Sequence, residues 1–147
     1  MIIVFIASSI SIHSARWINF FANNNKNTIF WITNSKPNDE TINEFSQLKK
    51  KVKIYNSRNL KDFIKTIRLL MFVKYNLVHI HYLGWHSLWA LFLKPRKNLI
   101  LTPWGSDLLL QKSSLKRFWL KVLFKKSSYI ICDSKRLKNK LKIVFLV

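Results

Sequence analysis

Short apolar runs alternate with longer amphipathic stretches along the whole chain. Ile2–Ala7 is a continuous apolar run rich in β-branched residues, the pattern of a strand covered on both faces. Thr28–Thr33 (TIFWIT), residues 77–82 (LVHIHY), 98–102 (NLILT) and 129–132 (YIIC) repeat it, and residues 52–55 are a weaker version after the basic cluster Lys49-Lys50-Lys51. Between them the period lengthens. Residues 13–23 carry Ala15, Trp17, Ile18, Phe20, Phe21 and Ala22 in a helical pattern that Asn23-Asn24-Asn25 ends. In residues 59–74, Leu60, Phe63, Ile64, Ile67, Leu70 and Met71 fall on one face at i, i+3, i+4, i+7 spacing. Residues 85–93 predict a short apolar helix closed by Pro95, and residues 115–126 a basic, aromatic one. Asp133-Ser134 reads as the N-cap of a last helix. Residues 8–14 and 35–40, the latter with Pro37, read as loops.

Strand and helix thus alternate about five times, with neither an internal repeat nor a linker. That order requires right-handed crossovers, so the expected fold is α/β: one Rossmann-like domain over residues 1–147, with a mostly parallel sheet and helices on both faces. Ligands of such sheets sit at the carboxyl ends of the strands. The loops to read for chemistry are therefore residues 8–16, 82–86 and 103–107.

Composition narrows the picture. With 147 residues the chain has the size of one domain, and 49% apolar content excludes a disordered chain. Twenty-six Lys and Arg face six Asp and Glu, for a net charge of +20. Such a surface attracts polyanions: nucleic acid, acidic lipid headgroups or phosphorylated small molecules. Cys132 is the only cysteine, which excludes an internal disulfide and fits a reducing, cytoplasmic compartment. Residues 1–12 superficially resemble a signal peptide. They lack a positive n-region and are too short and Ser-broken to span a bilayer, so they read as a buried strand and its loop.

The first loop offers Ser11, His13, Ser14 and Arg16. His13 and Arg16 are three apart, so at a helix start they share a face near backbone N–H groups that favour anions. They read either as ligand groups or as solvated loop residues. His79 and His81 alternate along a strand and point to one face. His79, mid-strand, reads as a buried, hydrogen-bonded histidine; His81 and Tyr82, at the strand end, are placed to reach a ligand. His86 is an ambiguous candidate. His79-x-His81 lacks a nearby Cys, Asp or Glu to complete a zinc site, and no cofactor is expected. In Pro103-Trp104-Gly105-Ser106-Asp107 a strand ends and Gly permits close approach of backbone to ligand. Asp107 reads either as a cap or loop ion pair, or as an acceptor for sugar hydroxyls and a contributor to proton transfer. Two glycines in the whole chain exclude a dinucleotide fingerprint and a P-loop, and no Gly-x-Ser-x-Gly elbow occurs.

Four segments together, Ser11-Ile12-His13-Ser14-Ala15-Arg16-Trp17, Leu77-Val78-His79-Ile80-His81-Tyr82, residues 99–107 and Tyr129-Ile130-Ile131-Cys132-Asp133-Ser134, resemble the N-terminal domain of family-4 glycosyltransferases. The resemblance implies one half of a GT-B fold. In that fold two Rossmann-like domains face a cleft: the N-terminal one takes the acceptor, here a lipid-linked or saccharide acceptor, and the C-terminal one the nucleotide-sugar donor. The reaction it implies retains anomeric configuration and needs no metal. Carried onto this chain, His13 and Asp107 become the catalytic candidates, and Arg16, His81, Tyr82, Trp104, Gly105 and Ser106 the substrate-binding ones. The chain departs from the pattern at Ser8-Ser9, where many members have Gly-Gly, and at Trp104, where many have His. It also ends at Val147 without a donor-binding domain, so the expectation is an acceptor-side half that does not turn over alone.

A second class of reading is a basic module without catalysis that binds an acidic membrane surface. Residues 112–126 set Leu115, Phe118, Trp119, Val122 and Leu123 among Lys112, Lys116, Arg117, Lys121, Lys125 and Lys126, a basic amphipathic pattern suited to acidic lipids. The two classes are compatible, and both allow a cytoplasmic protein at the inner face of the membrane. No nucleic-acid-reading motif is present.

Overall fold

The computed structural model describes residues 1–93, 98–109 and 113–145. The strands are β1 (Ile2–Ala7), β2 (Thr28–Thr33), β3 (Val52–Asn56), β4 (Leu77–His81), β5 (Leu99–Thr102) and β6 (Tyr129–Ile130). The helices are α1 (Ile12–Ala22), α2 (Asp39–Glu44), α3 (Ser46–Lys51), α4 (Leu60–Phe72), α5 (Ser106–Leu109), α6 (Ser114–Lys126) and α7 (Lys135–Phe145), with a 3₁₀ segment at Trp85–Phe92.

All strand pairings are parallel, and the six-stranded sheet runs β3-β2-β1-β4-β5-β6. This is the doubly wound Rossmann order, with its switch point between β1 and β4. Period-two alternation of side chains divides the core in two. Ile3, Phe5, Ala7, Ile29 and Trp31 face Ala15, Ile18 and Ala22 of α1 and Leu48 of α3. Val4, Ile6, Val78, Ile80 and Leu101 face Leu69 and Leu70 of α4, Trp89 of the 3₁₀ segment and Leu120, Leu123 and Phe124 of α6. Because β1 is buried on both faces, its sequence is apolar at nearly every position.

Asparagines join the amino ends of the central strands. Asn76 Oδ1 accepts from the Ile2 N–H at 2.7 Å, and Asn98 Nδ2 donates to the Asn76 carbonyl at 2.7 Å. At the opposite ends, Trp31 Nε1 donates to the Ala7 carbonyl at 3.1 Å, which fixes the exit of β1 into the first loop.

Several expectations shift. Residues 39–51 hold two short helices, so the loop read over residues 35–40 gives way to a helix at Asp39; Asn38 Oδ1 caps α2 by accepting from the Thr41 N–H at 2.9 Å. Where a helix is expected over residues 85–93, Trp85–Phe92 forms a 3₁₀ segment rather than an α-helix. The predicted face of α4 is only partly the buried one. Its buried residues are Thr66, Leu69 and Leu70, while Leu60 is 74% and Ile64 45% exposed. Ser134 does act as a cap, its Oγ accepting from the Leu137 N–H at 3.2 Å. The readings placed on Pro95, Lys112, Leu146 and Val147 fall outside the described residues.

Candidate functional site

The crossovers from β1 and β4 leave toward opposite faces of the sheet, which opens a crevice at their carboxyl ends. Three segments meet there: the start of α1, the residues after β4 and the residues after β5.

Ser11 caps α1, its Oγ accepting from the Ser14 N–H at 3.4 Å. This sets His13 and Arg16 on the outer side of the first turn, both exposed, and turns Ser14 inward. Ser14 Oγ lies 2.9 Å from His81 Nδ1, and Trp104 Nε1–H donates to His81 Nε2 at 3.1 Å. An indole nitrogen can only donate, so His81 Nε2 is unprotonated, and neutral His81 carries its proton on Nδ1, donating to Ser14 Oγ. The Trp104 ring in turn packs on His13, with centroids 4.5 Å apart. The chain Ser14–His81–Trp104 thus ends against an exposed imidazole.

A second layer supports the first. His79 Nε2 lies 2.7 Å from Thr102 Oγ1, and the Trp17 and His79 rings meet nearly at right angles with centroids 5.5 Å apart. His86, 5% exposed, contacts the His81 carbonyl through Nε2 at 3.3 Å. Burial lowers the pKa of both His79 and His81 to about 4, and for His81 the neighbouring histidines add to the effect. Burial lowers His86 as well. His79 is therefore the buried, hydrogen-bonded histidine its mid-strand position indicated.

Asp107 is the tie between the two later loops. Its carboxylate accepts from the Leu83 N–H at 2.6 Å and the Trp104 N–H at 3.0 Å, with no exposed surface. Burial raises its pKa, opposed by those N–H donors and by Lys116. Lys116 is itself lowered by desolvation, with Asp107 pulling the other way. Gly105 reaches the required turn with φ +85°, a conformation in which a side chain is strained. Tyr82 holds the left-handed φ of 66° directly after β4 and stays partly exposed.

The segments expected to converge do so, but two candidates change part. From sequence Asp107 reads either as a cap or loop ion pair or as an acceptor for sugar hydroxyls, and His81 as a residue placed to reach a ligand. Asp107 is instead 0% and His81 1% exposed, with both carboxylate oxygens and both ring nitrogens engaged inside the protein. A group held this way orients its neighbours; it has no free polar atom to offer. His13, Arg16, Tyr82 and Ser106 remain exposed and Trp104 and Gly105 half-buried around the crevice. Ser14, which the first loop offers, belongs to the site, and so do Trp17 and Lys116, which the sequence does not single out as site residues. Beyond β5 the same edge continues into an open groove of about 640 Å³ lined by Ile131, Cys132, Asp133, Ser134, Lys135 and Lys138. Among the described residues no group of three or more His, Cys, Asp or Glu could hold a metal ion.

A model of the glycosyl transferase 4-like family matches residues 2–134. The chain belongs to that family. No match was found among curated proteins. In this glycosyl transferase 4-like domain the four motifs that carried the resemblance all lie at the carboxyl ends of strands or lead directly into them. Trp104 fills the turn after β5 with an indole that supports His13 and binds His81.

Proposed function

We propose that this domain forms the acceptor side of an enzyme that transfers a sugar from a nucleotide-sugar to a lipid-linked or saccharide acceptor. The donor-binding groups would come from a second Rossmann-like domain across the cleft. The observation that carries the reading is His13: an exposed imidazole at the switch point, held in orientation by the half-buried Trp104 ring. An acceptor hydroxyl entering beside it can donate to the imidazole as the hydroxyl oxygen attacks the anomeric carbon from the face that the nucleotide leaves, which retains the configuration. Arg16, one turn along the same exposed face, suits a phosphate or carboxylate on the acceptor through paired hydrogen bonds. Asp107 and His81 act as positioning residues for the loops that hold this arrangement.

The 147 residues alone are expected to show no turnover. Holding donor and acceptor in register supplies roughly 7–11 kcal/mol of barrier reduction in favourable cases, and that requires both walls of a cleft. The test supplies a donor-binding domain from a similar enzyme in trans, with a panel of nucleotide-sugars and lipid-phosphate acceptors. Turnover that depends on the added domain and falls at least tenfold in His13→Ala supports the reading. Turnover unchanged by His13→Ala and Arg16→Ala would remove it.

A further inference from the structure

α6 has two apolar faces, and only one is used by the fold. Leu120, Leu123 and Phe124 are buried against the sheet. On the opposite side Leu115 and Phe118, with Val122 one turn further at i, i+3, i+7 spacing, form a second stripe; Leu115 is 70% and Phe118 66% exposed. Lys121, Lys125 and Lys126 flank this stripe and are exposed. No acid occurs between Asp107, which is buried, and Asp133. The neighbouring α7 adds exposed Lys135, Arg136 and Lys138.

The surface extends across the same side of the sheet. Trp119 Nε1 donates to Ser87 Oγ at 3.3 Å, joining α6 to the 3₁₀ segment, and Phe63 meets Trp89 at 5.1 Å, joining that segment to α4. The outward sides of these neighbours carry Leu91, 56% exposed, and Leu60 and Ile64, beside the exposed Lys61, Lys65 and Arg68.

We infer that this helical layer, centred on the Leu115–Phe118–Val122 stripe of α6, docks on an acidic lipid bilayer. Hydrocarbon side chains enter the headgroup boundary while the flanking lysines meet anionic headgroups. Charge decides among occupants. A second copy would bring another +20 chain against this face. A nucleic acid would match the lysines but leave Leu115, Phe118 and Leu60 without partners. No helix among the described residues is long and apolar enough to cross a membrane, so the contact lies in the interface plane. It stands apart from the sugar-transfer reading and needs no donor domain to be measured.

The experiment is co-sedimentation of the full chain with phosphatidylcholine vesicles, with and without phosphatidylglycerol, at low and high salt. Binding is expected only with the acidic lipid. Lys121→Gln/Lys125→Gln/Lys126→Gln should weaken it roughly 100-fold, at about a factor of five or more per lysine. Lys26→Gln/Lys36→Gln/Lys50→Gln, which removes the same charge elsewhere, should weaken it far less. Phe118→Ser should lower binding about tenfold and Phe118→Trp should restore it. These positions are exposed, and circular dichroism checks that each variant is folded. Equal binding to neutral vesicles, equal effects of the two triple variants, or insensitivity to Phe118→Ser would overturn the proposal. So would a duplex-DNA complex that outcompetes acidic vesicles, or a dimer dissolved by Phe118→Ser.

Discussion

Acid should unfold this protein through its buried histidines. In the unfolded chain each histidine takes up a proton as the pH falls through about 6.5. In the folded chain His79 and His81 stay neutral down to about pH 4, because both are buried. Between these values the unfolded state binds more protons, so stability is full above pH 6.5 and falls as the pH drops toward 4. A separation of this size corresponds to roughly 3 kcal/mol for each histidine, with a combined slope of at most about 2.7 kcal/mol per pH unit. The two rings lie 5.6 Å apart, so a proton on one hinders the other and their titrations belong to the pair. Asp107, raised by burial, offsets part of the loss at the acid end. A domain with a typical stability of about 5–15 kcal/mol loses much of it in this window. Urea titrations followed by tryptophan fluorescence at half-unit steps from pH 7.5 to 4 measure the curve. His79→Gln, which preserves a hydrogen-bonding partner for Thr102 without titrating, should lower the slope by up to about 1.4 kcal/mol per pH unit. A stability that stays flat from pH 6.5 to 4.5, or a parallel curve for His79→Gln, would refute the reasoning.

Other perturbations test the site's supports. Asp107→Ala strands the Leu83 and Trp104 N–H groups and should cost about 2–4 kcal/mol in urea unfolding, with Asp107→Asn costing less. Gly105→Ala should lower stability by about 1–2 kcal/mol; the nearest atom to the added methyl is Leu137 Cδ1 at 4.0 Å, so backbone conformation rather than collision sets the cost. Trp104→Phe keeps a ring against His13 but removes the donor to His81; a loss of about 1 kcal/mol and a shift of the His81 imidazole resonances are expected, and unchanged resonances would argue against that bond.

The central strands were legible because burial on both faces favours apolar residues, so Ile2–Ala7 and residues 29–32 are apolar throughout. The outer strands were less so: β6 pairs over Tyr129–Ile130 only, although residues 131 and 132 continue the apolar run. α2 and α3 were hidden because DETINE and SQLKKK lack a sustained apolar stripe; the available cue was Asn38 before Asp39-Glu40, a cap with acids in the first turn. α4 and α6 misled differently. Each has apolar residues on two sides, and periodicity alone does not tell which side meets the sheet. The same limit applies at the site. Strand-end position correctly brought His13, His81, Trp104 and Asp107 together, but depth depends on neighbours distant in sequence. His81 is sealed by Ser14 and Trp104, and Asp107 by N–H groups of two separate loops, contacts that no spacing rule contains.

The central place of β1 has a consequence for how the chain is made. Of the six strands β1 leaves the ribosome before the others, and it ends in the middle of the sheet, between β2 and β4. Its pairing with β2, and that of β2 with β3, becomes possible once Asn56 has emerged. Its other edge waits for His81, about 25 residues and on the order of 1–5 s of synthesis later. During that interval a nascent three-stranded sheet presents an unsatisfied apolar strand, a template for pairing with another chain. A pause taken after β3 has emerged and before β4 has would prolong the exposure, whereas one taken after β4 has emerged would not. Synonymous changes in the codons read while residues 57–81 emerge from the ribosome are therefore the ones that should alter soluble yield without altering the protein.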